Sequence, residues 1–150
     1  MNPIQQAMAA DHKRCDNLLV QAESLVAKND RAQAQQQLTA FIQAMDRHFQ
    51  HEENVLFPAF ELAGGGSSGP TLMMRHEHED MRKLMNDMQK ALQNNNSDRF
   101  LGLTESLMIF MQQHNIKEEQ ILYPMIDSQC ADQADQLMHE FNTSNNSDAA

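Results

Sequence analysis

The sequence predicts an all-α protein in which four long helices form an up-down-up-down bundle and a short fifth helix follows at the C-terminal end. Four long stretches repeat apolar residues three or four positions apart, which is the spacing of one helix face. Short polar segments connect these stretches, as expected between antiparallel helices. The composition agrees, because 12 methionines, no tryptophan and only 5% aromatic residues are typical of a helical core of leucine, isoleucine and methionine.

The first helix is predicted over about residues 3–28. Asn2 is expected to cap it, and Pro3 suits the first helical position because an N–H there has no partner in the helix. The pair Asn29-Asp30 predicts the turn that ends it. Its apolar stripe comprises Ile4, Met8, His12, Cys15, Leu19, Ala22 and Val26.

The second helix is predicted over about residues 31–62, with Asp30 as its cap. Pro58 is expected to kink or weaken its last turns, because proline cannot donate a helical hydrogen bond. A flexible linker, AGGGSSGP, follows at residues 63–70. The inward stripe of this helix comprises Leu38, Phe41, Met45, His48, Glu52 and Leu56.

The third and fourth helices repeat this arrangement. The third is predicted over about residues 71–93, and the three asparagines at 94–96 end it. Ser97 is expected to cap the fourth helix, which runs to about residue 127. The stripe of the third comprises Met74, His78, Met81, Met85, Met88 and Leu92, and that of the fourth comprises Leu103, Leu107, Met111, His114, Glu118, Ile121 and Met125.

A short fifth helix is predicted over about residues 131–141, lying across one end of the bundle. The final stretch, residues 142–150, is polar and is expected to fray. A chain of 150 residues suits one domain with a proper core. The predicted organisation is therefore a bundle over residues 1–141 and a polar tail over 142–150.

An internal repeat runs through the four long helices. Residues 48–58 read HFQHEENVLFP and residues 114–124 read HNIKEEQILYP, which are 66 positions apart. The same offset relates His12 to His78. Each copy therefore supplies one histidine and, 36 residues later, a His-x-x-x-Glu pair whose members share one helix face.

Six polar residues of the repeat fall on the apolar stripes. Burying imidazoles and carboxylates without partners is costly. One explanation is a core hydrogen-bond network that only specifies the register of the helices. We favour a bound metal, because both halves supply the same set and a cation stabilises carboxylates and neutral imidazoles together. The six candidate metal ligands are His12, His48, Glu52, His78, His114 and Glu118.

The number of donors favours two ions over one. Two octahedral ions have about twelve coordination positions, of which four histidines and two bridging carboxylates fill about eight. A bridging oxide or hydroxide fills about two more, and about two remain for an outside ligand. Mixed imidazole and carboxylate donors suit iron or manganese better than calcium or magnesium, and the absence of cysteine ligands disfavours structural zinc. The sequence therefore predicts two oxo- or hydroxo-bridged iron ions.

The doubled motif resembles hemerythrin-like HHE domains. The resemblance extends over about residues 8–124 and includes the pairs Asp11-His12 and Glu77-His78, which precede the two motifs. It implies a four-helix bundle with a non-haem di-iron centre, in which the four histidines are terminal ligands and the two glutamates bridge. By the repeat, one iron is expected at His12 and His48, and the other at His78 and His114.

The pattern departs from that of oxygen-carrying hemerythrins at one ligand. Those proteins have a fifth histidine one turn from the ligand of the third helix, whereas the candidates here are Met74 and Arg82. The set of four histidines and two glutamates is more similar to the di-iron domain of iron–sulfur cluster repair proteins.

Three further histidines are not expected to be ligands. His76 lies about 200° around the helix from His78, which should place it in solvent, although a register with His76 as the ligand is the alternative. His51 lies off the stripe and is expected at the surface or behind the ligands. His139 is expected at the surface.

Three other residues near the motif, Asp16, Tyr123 and Cys15, have two interpretations each. Asp16, one turn from His12, forms an ion pair or tunes the site and its access; its repeat mate is Arg82. Tyr123 is interpreted as core, because its mate is Phe57, and the alternative is a hydrogen-bond donor near the ligand pocket. Glu53 and Glu119 are expected in solvent or behind the ligands. Cys15 is expected as a small buried apolar residue, and the alternative is a redox-active thiol near the di-iron centre.

The charge and the lack of long apolar runs limit the partners. A net charge of −10 argues against nucleic acid and against anionic membrane surfaces, which both need basic clusters. No apolar run approaches the length of a membrane span, and no signal peptide is evident, so the expected compartment is the cytoplasm. Cys15 and Cys130 form no recognisable motif and are expected to be free thiols.

Two functional interpretations follow from a di-iron centre. The favoured one is reversible binding of a small diatomic ligand, oxygen or nitric oxide, for sensing, storage or delivery. The alternative is a stress-response enzyme or iron donor, which reduces nitric oxide or peroxide or helps to repair iron–sulfur clusters. The sequence leaves the choice of ligand, catalytic turnover and the oligomeric state open.

Overall fold

In the computed structural model, which describes residues 2–149 and the side chains of residues 2–144, all regular secondary structure is helical. The all-α prediction is therefore confirmed. Four long helices carry the repeat: α1 (Pro3–Ala27), α2 (Arg31–His51), α4 (Pro70–Gln93) and α5 (Ser97–Lys117). The remaining α-helical elements are α3 (Phe57–Phe60), α6 (Tyr123–Gln129) and α7 (Ala134–Ala149).

Wider π-helical turns interrupt the second and fourth predicted helices. The turn π1 (Glu52–Leu56) joins α2 to α3, and π2 (Glu61–Gly65) follows α3. The turn π3 (Glu118–Leu122) joins α5 to α6. The second and fourth predicted helices both stay helical up to and beyond their predicted ends. Each contains a wide turn that begins at the glutamate of its His-x-x-x-Glu pair.

The π-helical turns have a local cause in the sequence. Turns π1 and π3 each precede a proline, Pro58 or Pro124, whose ring would clash with the carbonyl four residues earlier in a regular α-helix. A π-helical turn bonds residues five apart, and the backbone N–H groups of Phe57 and Tyr123 do donate to the carbonyls of Glu52 and Glu118. The interruption expected at Pro58 is thus a wide turn just before it.

The wide turn changes which residues of the last helix face inward. In an α-helix, residues five apart differ by about 140° around the axis, whereas a π-helical turn brings them back towards one face. Ile121 and Met125, predicted to face inward, are therefore 56% and 36% exposed. Leu122 and Tyr123 are buried in their place. This part of the predicted stripe was wrong.

The predicted turns occur, and they follow the repeat. Asn29 and Asn95 both adopt the left-handed conformation, at φ values of 61° and 60°, which asparagine tolerates better than most residues. Asp30 caps α2 as predicted, accepting from the backbone N–H of Gln33. The cap of α5 is Asn96, not Ser97, because the Asn96 side chain accepts from the N–H of Arg99.

The start of α1 is capped from the far end of the chain. The side chain of Asn2, the predicted cap, makes no capping hydrogen bond and instead donates to Gln5. The buried carboxylate of Asp127 accepts from the backbone N–H groups of Ile4 and Gln5, at 2.9 and 3.0 Å. This interaction fixes α1 against α6 and cannot be recognised from local sequence.

The helices pack around two apolar clusters with a polar layer between them. Helix α1 packs against α2 and α5, α4 packs against α5, and α2 contacts α4. One cluster fills the end near the Asn29 and Asn95 turns, and the other fills the end near Ile4 and Phe57. On α1 and α4, the histidine of the repeat lies between residues of the two clusters.

The C-terminal helix is longer than predicted. Helix α7 continues to Ala149, past the expected end at Phe141, so most of the predicted tail is helical. Ala150 lies outside the described residues, as do the side chains of residues 145–149. Met138 and Phe141 join the second apolar cluster, so α7 covers that end of the core. Among the described residues, none of the helices has the length and apolar character needed to span a bilayer.

Candidate metal centre

The six candidate residues meet in the polar layer. Donor atoms of Glu52, His78, His114 and Glu118 lie within 4.8 Å of one another. Donor atoms of His12, His48 and Glu118 form a second such group. All six side chains are at most 6% exposed. The geometry follows from the sequence, because each histidine of a His-x-x-x-Glu pair sits one turn before its glutamate on an inward face.

Each glutamate lies between two histidines from different halves of the repeat. Glu118 Oε1 is 3.1 Å from both His12 Nε2 and His114 Nε2. Glu52 Oε1 is 3.4 Å from His48 Nε2 and 3.2 Å from His78 Nε2. Each carboxylate therefore contacts one histidine of each predicted pair, which is the placement that a bridging ligand needs.

The outer nitrogen of every histidine is held by a second carboxylate. Nδ1 of each ring lies 2.7 or 2.8 Å from an acidic oxygen, which directs Nε2 towards the centre. These partners obey the repeat as well, since Asp11 corresponds to Glu77 and Glu53 to Glu119. The pairs are His12 with Glu119, His48 with Asp11, His78 with Glu53 and His114 with Glu77.

Sequence reasoning found only part of this outer layer. Glu53 and Glu119 were expected in solvent or behind the ligands, and the structure places both behind the ligands. Asp11 and Glu77 were not recognised as partners. The available signal was an acidic residue directly before the first histidine of each copy.

Basic side chains hold three of the outer carboxylates in turn. Arg82 contacts both oxygens of Glu53, at 2.9 and 3.0 Å, while Lys117 pairs with Glu77 and Arg14 with Asp11. Burial alone would raise the pKa of Glu53, but the hydrogen bonds from His78 and Arg82 outweigh it and lower the pKa to about 2. Asp11, Glu53 and Glu77 all have lowered pKa values and are thus kept ionised and in position.

The inner groups have strongly shifted pKa values. Burial and the neighbouring charge of Glu118 raise the pKa of Glu52 well above its ordinary value. Burial opposes ionisation of Glu118 too, but the positive charge of His114 and several hydrogen bonds lower its pKa. Without a cation, the two carboxylates therefore favour sharing a proton, because two adjacent buried charges repel each other.

The histidines divide in the same way. Burial disfavours the charged form of His12 and His114, but contacts with Glu118 outweigh it and raise the pKa of each to about 9. Burial dominates at His48 and lowers its pKa to about 4, although Asp11 opposes this. In the absence of metal, the layer thus relies on protons to balance its charges.

The unsatisfied atoms of the layer fit a bound metal. Four buried donor atoms have no hydrogen-bond partner, although their neighbours lie close by: Glu52 Oε1, His78 Nε2, His114 Nε2 and Glu118 Oε2. Buried polar atoms in native proteins are normally paired. These four atoms belong to the residues of a single donor group, where a cation would be bonded by all of them. The residues present therefore fit a metal centre.

The sequence model of the hemerythrin HHE cation-binding domain matches residues 4–126 of the chain. The protein belongs to this family. The matched region includes both copies of the repeat and all six inward-facing residues. Neither the curated proteins nor the solved structures gave a match in the corresponding comparisons.

The hemerythrin layer contains a seventh polar side chain, Tyr123. Its ring is fully buried and its hydroxyl lies 2.8 Å from Glu52 Oε2 and 2.9 Å from Glu118 Oε1. The interpretation of Tyr123 as a core residue fits its ring only. The alternative, a hydrogen-bond donor near the ligand pocket, fits the position of its hydroxyl. Turn π3 causes this orientation, because it brings residue 123 round to the face of Glu118.

The other candidates lie outside the hemerythrin layer. His76 and His139 are exposed, as expected. His51 is not at the surface, because it is buried against the ring of Phe141, with centroids 4.8 Å apart. Met74, at the position considered for a fifth histidine, is buried in the apolar cluster.

A cleft of about 340 Å³ reaches the edge of the layer beside His12. Asp16 and Glu119 line it, and Glu119 binds the outer nitrogen of His12. The remaining lining residues are Leu19, Val20, Met108, Gln112, Asn115 and Ile116. Asp16 is exposed at this cleft and does not lie on the inner face of its helix. Partial burial of its carboxylate still raises its pKa.

Proposed function

We propose that this hemerythrin domain binds two iron ions and uses them to bind oxygen or nitric oxide reversibly, for sensing, storage or delivery. The observation that carries the proposal is the buried layer in which four inward donor atoms, on Glu52, His78, His114 and Glu118, have no hydrogen-bond partner. Iron at these donors supplies the reversible electron transfer on which such binding depends. The proposed ligands are His12, His48, Glu52, His78, His114 and Glu118.

The donor set supports iron over other metals. Imidazole and carboxylate donors suit iron, and no thiolate competes, because burial raises the pKa of the Cys15 thiol to about 12. Four neutral imidazoles and two carboxylates leave the pair of ions with a net positive charge that a bridging oxide or hydroxide can reduce. The outer carboxylates keep each imidazole in the tautomer that presents Nε2 to the centre.

The contacts of the glutamates support two ions. Glu118 touches His12 and His114, and Glu52 touches His48 and His78, so each carboxylate reaches both predicted halves. We infer one iron at His12 and His48, a second at His78 and His114, and both glutamates between them. The cleft beside His12 is the proposed access for a small ligand.

The helix arrangement, the cellular compartment and the kind of partner are part of the same proposal. We infer an up-down-up-down arrangement of the four long helices, with the bundle over residues 1–141. Free buried thiols at Cys15 and Cys130 support a reducing compartment, the cytoplasm. The net charge of −10 supports a small ligand over a nucleic acid.

The test combines metal analysis with optical spectra. Protein produced with ample iron is expected to hold about two iron ions per chain and, when oxidised, to show oxo-bridged ferric charge-transfer bands. Anaerobic ferrous protein is then exposed to oxygen and to nitric oxide, and a reversible spectral change with either gas is expected. Less than about one metal ion per chain, or no change with either gas, refutes the proposal.

A further inference from the structure

The hydroxyl of Tyr123 lies at the meeting point of four donor atoms. Its oxygen is 2.8 Å from Glu52 Oε2 and 2.9 Å from Glu118 Oε1. It is also 3.2 Å from His12 Nε2 and 3.3 Å from His48 Nε2. These are the two glutamates and the one pair of histidines assigned to a single iron, so the phenol faces that ion's position and not the other.

These distances match the spacing between neighbouring ligands of one metal. Donors at right angles around an octahedral ion with bonds of about 2.1 Å lie about 3.0 Å apart. The phenol oxygen has that separation, within about 0.3 Å, from all four donor atoms. An oxygen that only filled space in the apolar core would not lie at ligand spacing from four donors together.

Hydrogen bonding accounts for only part of this arrangement. A phenol has one proton to donate, and once a metal displaces the proton that Glu52 and Glu118 share, both carboxylates only accept. The hydroxyl can therefore satisfy one of these carboxylates at a time, which leaves the other short oxygen–oxygen contact without a proton. A cation that binds the phenol oxygen and both carboxylates satisfies all of them.

The repeat shows that this oxygen is a feature of one half only. The mate of Tyr123 is Phe57, and the two rings have matching positions: Tyr123 lies 5.7 Å from the ring of His12, and Phe57 lies 5.8 Å from that of His78. Both rings follow a π-helical turn. The fold thus places an aromatic ring against each histidine pair and gives only one of them an oxygen.

We propose that Tyr123 is a seventh protein ligand, which binds the iron at His12 and His48 through its phenolate oxygen. The inference rests on the proposed di-iron centre. The O–H bond breaks as the oxygen–iron bond forms, its electron pair goes to the new bond, and the proton passes to solvent. No electron is transferred in this step.

The test uses the fact that Tyr123 is the only tyrosine in the chain. Oxidised, iron-loaded full-length protein is expected to show a visible phenolate-to-ferric charge-transfer band. Resonance Raman excitation within that band is expected to enhance tyrosine ring vibrations, which have a single possible source. The Tyr123→Phe variant is expected to lose the band and these vibrations completely while keeping about two iron ions per chain. Phe57→Leu, which changes the repeat-related ring, is the matched control and is expected to keep both signals.

The outcomes separate this inference from the proposed function. Iron-loaded wild-type protein without enhanced tyrosine vibrations overturns the phenolate ligand and leaves the di-iron centre intact. Protein that holds no iron overturns both. If Tyr123→Phe does not fold, the wild-type spectrum still decides, because no other tyrosine can contribute the vibrations.

Discussion

The two halves of the polar layer have the same arrangement of histidines and carboxylates but differ in what surrounds them. In both halves, two histidines point inwards and each has an outer carboxylate partner. Tyr123, which carries a hydroxyl, lies beside His12, whereas its repeat mate Phe57, which has none, lies beside His78. The repeat therefore conserves the donor set within the chain and varies the chemistry beside it.

The protection from solvent differs as well. Phe49 stacks on His78 with centroids 4.1 Å apart and an interplanar angle of 19°, and Arg82 lies over the Phe49 ring. The repeat mate of Phe49 is Asn115, which lines the open cleft beside Glu119. His78 is fully buried and His12 is 6% exposed. One half is therefore sealed by an aromatic ring, and the other meets solvent through polar side chains.

This comparison separates what holds a metal from what controls access to it. The inner donors are common to both halves, so their loss should affect both of the proposed iron ions. The flanking residues differ, so their exchange between the halves should transfer a property from one half to the other.

The largest effect is expected from a shared carboxylate. Glu118→Gln keeps the shape of the side chain but removes the charge that contacts both His12 and His114. Iron content is expected to fall from about two ions per chain to below one, as measured on purified protein. Glu105→Gln, at an exposed site on the same helix, is the control and should retain the iron. Equal iron content in the two variants would show that Glu118 does not bridge.

The outer carboxylates should have smaller and unequal effects. Glu53→Gln releases His78 from its orienting partner and leaves Arg82 without its bidentate contact, so iron affinity is expected to fall about 10- to 100-fold. Glu119→Gln should cost less, because water in the cleft can replace its contact with His12. Competition with a chelator measures both affinities. A larger loss of iron affinity in Glu119→Gln would show that the half at His12, and not the half at His78, is the one closed to solvent.

The aromatic ring that covers His78 can be exchanged between the halves, because Phe49 and Asn115 are repeat mates. Phe49→Asn copies Asn115 into the sealed half, and removal of iron by a chelator is expected to become several-fold faster. Because a buried ring is lost, the free energy of unfolding should also fall by about 3 kcal/mol.

Asn115→Phe makes the reciprocal change at the open cleft. It is expected to slow both chelator removal and binding of a small anion such as azide. If neither variant alters these rates, Phe49 is only a core residue and the cleft is not the access path.

The sequence predicted the inner donors better than the residues around them. A period of three or four, together with the 66-residue offset, was enough to bring six side chains into one layer. That they bind a metal stays a prediction. The inward position of Tyr123 was not preferred, because an α-helical period points Ile121 and Met125 inwards instead. The prolines at 58 and 124 were the available signal for the π-helical turns that change this.

Contacts between distant residues could not be predicted from local patterns. The carboxylate of Asp127 caps α1 across 123 positions of sequence, and no local motif indicates that pairing. Arg82 occupies one of the two positions considered for a fifth histidine, and its side chain contacts Glu53, Glu79 and the ring of Phe49. Both cases depend on which helices become neighbours, and only packing in three dimensions decides that.

The smallest effect is expected in the pH dependence of the metal-free protein. In the folded chain, the pKa values of His12 and His114 are raised from 6.5 to about 9. Their contribution to stability is therefore complete below pH 6.5 and is lost as the pH rises through about 9. Denaturant unfolding with a chelator present should show this loss. His48 has the opposite effect, because its pKa is lowered from 6.5 to about 4 in the folded chain. It therefore lowers stability as the pH falls below 6.5 towards 4.

Iron should remove this alkaline loss, because bound imidazoles are already deprotonated at Nε2. Glu119→Gln sharpens the comparison between the halves. It removes one of the hydrogen bonds that raise the pKa of His12 and leaves the contact of His114 with Glu77 in place. The alkaline loss in metal-free Glu119→Gln should therefore begin at lower pH, while the part due to His114 remains. An identical alkaline loss with and without iron would mean that these imidazoles keep their protons, which is incompatible with their being metal ligands.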